Sequence, residues 1–229
     1  IEYLQTGAGI MDFNKSTEIS CMDLDGILGA NSMRHSIWQI DYQKQVIILT
    51  SHIDSLTFID KLDTIPFTTK ATGTPVIDIT IGNIVQHNVT LDLGSGGHID
   101  LSHKMYTEVL KQKPEMPHNY AFGNSSSGIY GVGAPDTINY FKPDSIQFGS
   151  IELHHQICHA SVTKTSSTLG TRFFENYIIT LDWNENHVIL EKVTDYDHSE
   201  MKNLGYNKRL YDGKLKVATI FNGSEAAKK

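Results

Sequence analysis

Asp92 is the residue in this chain best placed to do chemistry. It closes an alternating run, Val85-x-x-x-Val89-x-Leu91, and Leu93, Gly94, Ser95, Gly96 and Gly97 follow it. A carboxylate therefore stands where a strand breaks into a tight loop. Such a group can accept or donate a proton, and the glycines let a second backbone or a ligand come close. The plain alternative is turn chemistry, because Asp before Gly is common in turns.

Other candidate groups are weaker. Residues 123–135 form a second glycine-rich stretch, but it lacks the strand–turn–helix setting of a dinucleotide fingerprint and has no lysine in a P-loop position. A mobile hairpin is the better expectation. His154-His155 and His159 include the i, i+4 spacing that binds metal on a helix. The neighbouring Ile151, Leu153 and Ile157 read as strand instead, so no metal site is expected. Cys21 and Cys158 match no metal spacing and are left as either a pair or two buried thiols.

The elements that must position Asp92 are mostly strands. Pro75–Ile81 and Val85–Leu91, joined through Gly82-Asn83, deliver the chain to it. After the glycines, Leu101, Met105, Val109 and Leu110 have helical spacing, with Ser102 as the cap of a helix over 101–111. At 229 residues the chain can bury a real core. A net charge of −7 and the lack of any basic run argue against a nucleic-acid partner. No apolar run is long enough to span a bilayer.

A repeat then ties distant segments together. Thr168-Leu169-Gly170 stands as Ile27-Leu28-Gly29 does, Asp182-Trp183 as Asp41-Tyr42, and Ile189-Leu190 as Ile48-Leu49. The differences 170 − 29, 182 − 41 and 190 − 49 all equal 141. Leu4-Gln5-x-Gly7 and Ile146-Gln147-x-Gly149 align at 142. This pattern is an internal duplication of a mostly β unit. A counterpart of Asp92 would lie at 92 − 141 = −49, ahead of Ile1, so the chain reads as truncated in its first repeat.

With the repeat in place, Leu91-Asp92-Leu93-Gly94-Ser95-Gly96, Ile27-Leu28-Gly29 and Thr168-Leu169-Gly170 resemble the aspartic peptidase superfamily, in its bacterial, retropepsin-like two-lobed form. In that family an apolar pair leads into Asp-Thr-Gly-Ser/Ala, and a later apolar-apolar-Gly segment crosses close behind it. The resemblance covers residues 1–195. It implies a mostly β acid-protease fold, with 1–60 the C-terminal part of a first lobe and 61–200 a complete, β-barrel-like second lobe. Asp92 would be catalytic, Gly94 would admit the partner loop, and the Ser95 hydroxyl would hold the outer oxygen of Asp92. Gly128, Ile129, Tyr130, Gly131 and Gly133 would form the flap that binds substrate. Two carboxylates a hydrogen bond apart share one proton, so one activates water while the other protonates the peptide carbonyl. That chemistry calls for no metal and no cofactor. The substrate would be a peptide or unfolded protein, and the location periplasmic or extracellular. A homodimer would supply Asp92 twice, but the half-repeat at 1–60 points to a partner lobe in the same polypeptide.

Leu93 departs from the family's Thr, which puts a binding protein without cleavage beside the peptidase as an alternative. A β-sandwich or barrel whose duplication is purely architectural is a third reading. Residues 201–229, from Asn203-Leu204-Gly205-Tyr206 to Gly223-Ser224-Glu225-Ala226, look like the opening of a PDZ domain. The alternative there is a hairpin packed on the second lobe. Asp41 and Asp182 are expected to be turn residues, Asp25 and Asp100 solvated, and Trp38, Trp183 and Tyr42 packing residues.

Overall fold

The computed structural model describes residues 7–13, 24–58, 62–129, 131–194, 200, 203–211 and 213–229. Tyr130 and Cys21 lie outside them. In chain order the elements begin with a short helix, α1 (Ala30–Met33), followed by β1 (Ile37–Asp41), β2 (Val46–Thr50), β3 (Leu62–Pro66) and β4 (Thr68–Thr69). β5 (Pro75–Ile81) and β6 (Ile84–Leu91) lead to Asp92, with β7 (Ile99–Asp100) and α2 (His103–Gln112) beyond the loop. Next come β8 (His118–Gly123), β9 (Ser127–Gly128), β10 (Gly131–Val132) and β11 (Asp136–Phe141). They are followed by β12 (Ser145–Phe148), β13 (Ile151–His154), β14 (Cys158–Ser161) and β15 (Thr168–Leu169). The last elements are α3 (Thr171–Phe174), β16 (Tyr177–Asp182), β17 (His187–Lys192), β18 (Tyr206–Tyr211) and β19 (Lys214–Phe221). The expected class, mostly β, is the class the chain adopts.

Local chemistry accounts for the elements around the loop. Ile77, Ile79 and Ile81 of β5 and Val89 of β6 are buried, as β-branched strand residues in a core should be, and Leu91 is buried beside them. Gly82 turns that hairpin at φ 58°, a left-handed conformation glycine takes without cost. The helix expected over 101–111 is α2: the Ser102 hydroxyl accepts from the Met105 N–H at 3.2 Å, and Met105, Tyr106 and Val109 are buried.

The strands form two principal sheets. One has the order β2-β1-β16-β17-β3, and the larger runs β13-β12-β5-β6-β15-β7-β14-β11-β8-β19-β18, with β4 on β5. Among the described residues the larger path is open-ended rather than a closed barrel. The hairpin β18–β19 continues it, because Phe221 pairs with Ala121 and Thr219 with Gly123. His154 ends β13, His155 turns the chain at φ 55°, and His159 lies on β14, so their i, i+4 spacing is not helical. Cys158 is a free, buried thiol, pushed well up from its ordinary pKa by burial and by the Asp100 carboxylate.

The duplication is visible in three dimensions. Ala30–Met33 and Thr171–Phe174 are both helices, and 30 + 141 = 171. Trp38 pairs with Leu49 as Ile179 pairs with Leu190, so the two hairpins share one register. Their turns match too, with left-handed Gln45 (φ 56°) and Asn186 (φ 55°) at the same offset. β1 and β16 pair antiparallel, and Gln39 faces Thr180, again 141 apart. A pseudo-two-fold axis therefore passes through that pair. Gln39 Nε2 donates to Thr180 Oγ1 at 3.2 Å and to Glu191 Oε1 at 3.4 Å, which satisfies polar groups buried at the axis.

Candidate functional site

Asp92 sits where three short segments meet. β15 lies between β6 and β7, with Leu169 parallel to Leu91 and antiparallel to Ile99. The Asp92 N–H donates to the Leu169 carbonyl at 3.0 Å, and the Gly170 N–H to the His98 carbonyl at 3.0 Å. The start of α3 then closes on the loop: the Thr171 N–H donates to Ser95 O at 2.7 Å and the Arg172 N–H to Gly97 O at 3.1 Å. The Thr171 hydroxyl lies 2.8 Å from Ser95 O and 3.2 Å from Leu93 O. Backbone carbonyls of the loop are thus met by the donors that a helix start leaves unpaired.

Glycine is required at this crossing for space. A Cβ on Gly170 would strike the carbonyl oxygen of Gly97 and come within 2.8 Å of its carbonyl carbon and its nitrogen. Backbone atoms cannot step aside as a side-chain tip can. On its other flank Gly97 meets the Asp100 carboxylate, which occupies the space a side chain would need.

The strapped loop presents one carboxylate to solvent. Asp92 is exposed, and its Oδ1 accepts from the Gly94 N–H at 3.0 Å. Ser95 Oγ accepts from Gly97 N at 3.3 Å, so its hydrogen bond shapes the loop itself. Leu93 is half-buried and packs against the core. Chemically, the arrangement holds a single general acid or base at a fixed place.

The second glycine-rich stretch is a hairpin, with Gly131 paired to Gly128 and Val132 to Ser127. Ile129 lies at its tip and Gly133 at its root, where the Gly133 N–H donates to Ser126 O at 3.0 Å. It grows from β8 and β11, which β15, β7 and β14 separate from β6 in the sheet. Among the described residues no strand pairing brings it to Asp92. A cavity of about 290 Å³, lined in part by His98, Glu152, Phe173 and Tyr177, adjoins the crossing but contains neither Asp92 nor the hairpin.

Asp41 and Asp182 take the turn roles expected of them. Both are buried; Asp41 Oδ1 accepts from the Lys44 N–H at 2.9 Å, and Asp182 Oδ1 from the Asn184 N–H at 2.8 Å. Asp100 does not behave as expected. It is half-buried rather than solvated, and His159 Nδ1 lies 3.3 Å from its Oδ1. Burial pushes the Asp100 carboxyl up, but the hydrogen bond and charge of His159, with Lys164 and His98, outweigh it and hold the group below its ordinary range. Tyr140, edge-on to His159 at 4.8 Å between centroids, has its phenol pushed up to about 12 by burial and then by Asp100. Sequence reading missed this pairing because β7 and β14 lie far apart in the chain. The one available signal was the position of Asp100 beside the glycine loop.

No family model and no curated protein matches the chain. Among solved structures it is similar to a retropepsin-like aspartic protease from Rickettsia conorii, at 13% identity over 59% of this chain and 95% of that one, with a TM-score of 0.38. It is also similar to conglutin gamma, a basic 7S globulin from lupine seeds, at 15% identity over 69% of this chain and 50% of that one (TM-score 0.37). Basic 7S globulin from soybean matches at 14% identity over the same shares, with a TM-score of 0.32. Superpositions of this quality assign neither a family nor an activity.

Proposed function

We propose that Asp92 is one carboxylate of an aspartic endopeptidase dyad that hydrolyses peptide bonds in a peptide or unfolded protein. One observation carries the reading: Thr168–Gly170 crosses between β6 and β7 directly against the Asp92 loop, in a chain that repeats itself about a two-fold axis. On this reading the partner carboxylate lies across that axis, in a lobe related to this one. The ionised member of such a pair takes a proton from water, whose oxygen attacks the peptide carbonyl carbon. The protonated member donates its proton to the carbonyl oxygen, and collapse of the tetrahedral intermediate expels the amine as it gains a proton. Gly94 N–H, donating to Asp92 Oδ1, holds that carboxylate in place. On this reading the hairpin at 127–132 covers bound substrate, with Gly128, Ile129, Gly131 and Gly133 lining it.

Leu93 supports a second reading. Family members use a hydroxyl there to tie the two Asp loops together, and a half-buried leucine packed on the core cannot do so. A protein that binds peptides without cleaving them would tolerate that change. The full-length protein, incubated with an unfolded substrate at acidic to neutral pH, distinguishes the two. Cleavage blocked by a statine-type inhibitor, whose hydroxyl mimics the tetrahedral intermediate, supports the peptidase. Saturable peptide binding with no cleavage at any pH supports the binding protein.

A further inference from the structure

The root of the 127–132 hairpin is held by a residue of the β18–β19 pair, which lies next to β8 in the same sheet. Ser126 O accepts from Gly133 N, and Asn124 Nδ2 donates to Gly133 O at 2.7 Å, which closes the hairpin's base. Arg209, from β18, reaches across to the same place: its guanidinium donates to Ser126 O at 3.0 Å and to Ser125 O at 3.3 Å. These two carbonyls belong to consecutive residues, so the planar fork of arginine can engage both, whereas lysine has a single point of charge.

The contact has a firm footing. The Asn124 N–H donates to Ala218 O at 2.8 Å, just beyond the pairing of Gly123 with Thr219. β19 comes so near that a Cβ on Gly123 would strike Ala218 O and lie 2.9 Å from Thr219 Cα, and Gly123 adopts φ 141°. β18 and β19 are thus seated against the last residues before the hairpin, which brings Arg209 within reach.

We propose that Arg209 is a positioning residue for the hairpin, fixing the angle at which it leaves the sheet. The segment after residue 200 then sets how readily the hairpin closes over substrate. The role in substrate closure rests on the peptidase reading above; the clamp itself does not.

Amide hydrogen exchange of residues 125–133 tests the clamp without reference to activity. In Arg209→Ala the Gly133 amide should exchange roughly tenfold faster, with the β18–β19 amides of Asn207 and Phe221 unchanged. Arg209→Lys, which keeps the charge but not the fork, should restore only part of the protection. Unchanged exchange at Gly133, equal acceleration throughout β18–β19, or full protection in Arg209→Lys would each overturn the proposal. Where the full-length protein cleaves a peptide, Arg209→Ala should raise KM severalfold and leave kcat within about twofold. A faster hairpin with unaltered KM would refute the substrate role. A faster hairpin in a protein that cleaves nothing would refute the peptidase reading and leave the clamp standing.

Discussion

The hairpins β1–β2 and β16–β17 share register, turn geometry and a preceding helix, yet Leu49 is 37% exposed and its counterpart Leu190 is 1% exposed. The same holds just before them, where Leu28 is 52% exposed and Leu169 is 1% exposed. Strand pairing within each hairpin is local and follows from alternation and turn residues. Burial is not local. β17 is flanked by β3, and Leu169 is wedged between β6 and β7, whereas β2 ends its sheet among the described residues. Among the described residues, one copy is covered and the other carries the same apolar pattern with nothing comparable laid over it.

Paired substitutions can break that comparison. Leu190→Ala removes a side chain from a filled core and should cost about 2–5 kcal/mol, whereas Leu49→Ala should stay within about 0.5 kcal/mol. Urea unfolding of both variants measures the contrast, and equal costs would mean that Leu49 is buried in solution. Gly170→Ala pushes a methyl into the Gly97 backbone and should cost about 1–3 kcal/mol. Gly29→Ala meets only the tip of the Asn31 side chain and should change stability by about 0.5 kcal/mol or less. Thermal unfolding compares them, and a costly Gly29→Ala would show that a second loop packs there too.

The smallest contrast is electrostatic. Asp41 and Asp182 begin equivalent turns, but the residue three further on is Lys44 in one and Glu185 in the other. Lys44 Nζ lies 3.1 Å from Asp41 Oδ2. Burial raises the Asp41 carboxyl, and the Lys44 backbone N–H, side-chain hydrogen bond and charge outweigh it, so its folded pKa is lowered. A depressed folded pKa gives stability that is present above the unfolded carboxylate range and lost as pH falls through the folded value. Asp41→Asn should therefore cost about 0.5 kcal/mol at pH 7 and nothing once the pH is below the folded value. Urea midpoints against pH check this, and a penalty that grows on acidification would contradict it.

Much of this was legible before any coordinates. The Asp92 loop, the hairpin at 128–133, the capped helix after Ser102 and the duplication all rest on short-range patterns or a constant offset, which a sequence displays directly. Three features of the site were not. Gly170 touching Gly97, His159 reaching Asp100 and Arg209 holding Ser125 and Ser126 depend on which strands lie side by side. Pairings across many tens of residues leave no local mark. Asp100 in particular looks like any loop-edge carboxylate until parallel pairing of β7 with β14 sets His159 beside it.

The covered copy carries the proposed chemistry, and Asp92→Asn in the full-length protein tests it most directly. Asparagine keeps the size of the side chain, and its carbonyl can still accept from the Gly94 N–H, but it cannot exchange a proton with water. Cleavage of an unfolded protein should fall by roughly 10²–10⁴-fold with the unfolding midpoint unchanged. Cleavage at the wild-type rate by a folded Asp92→Asn protein would contradict the account.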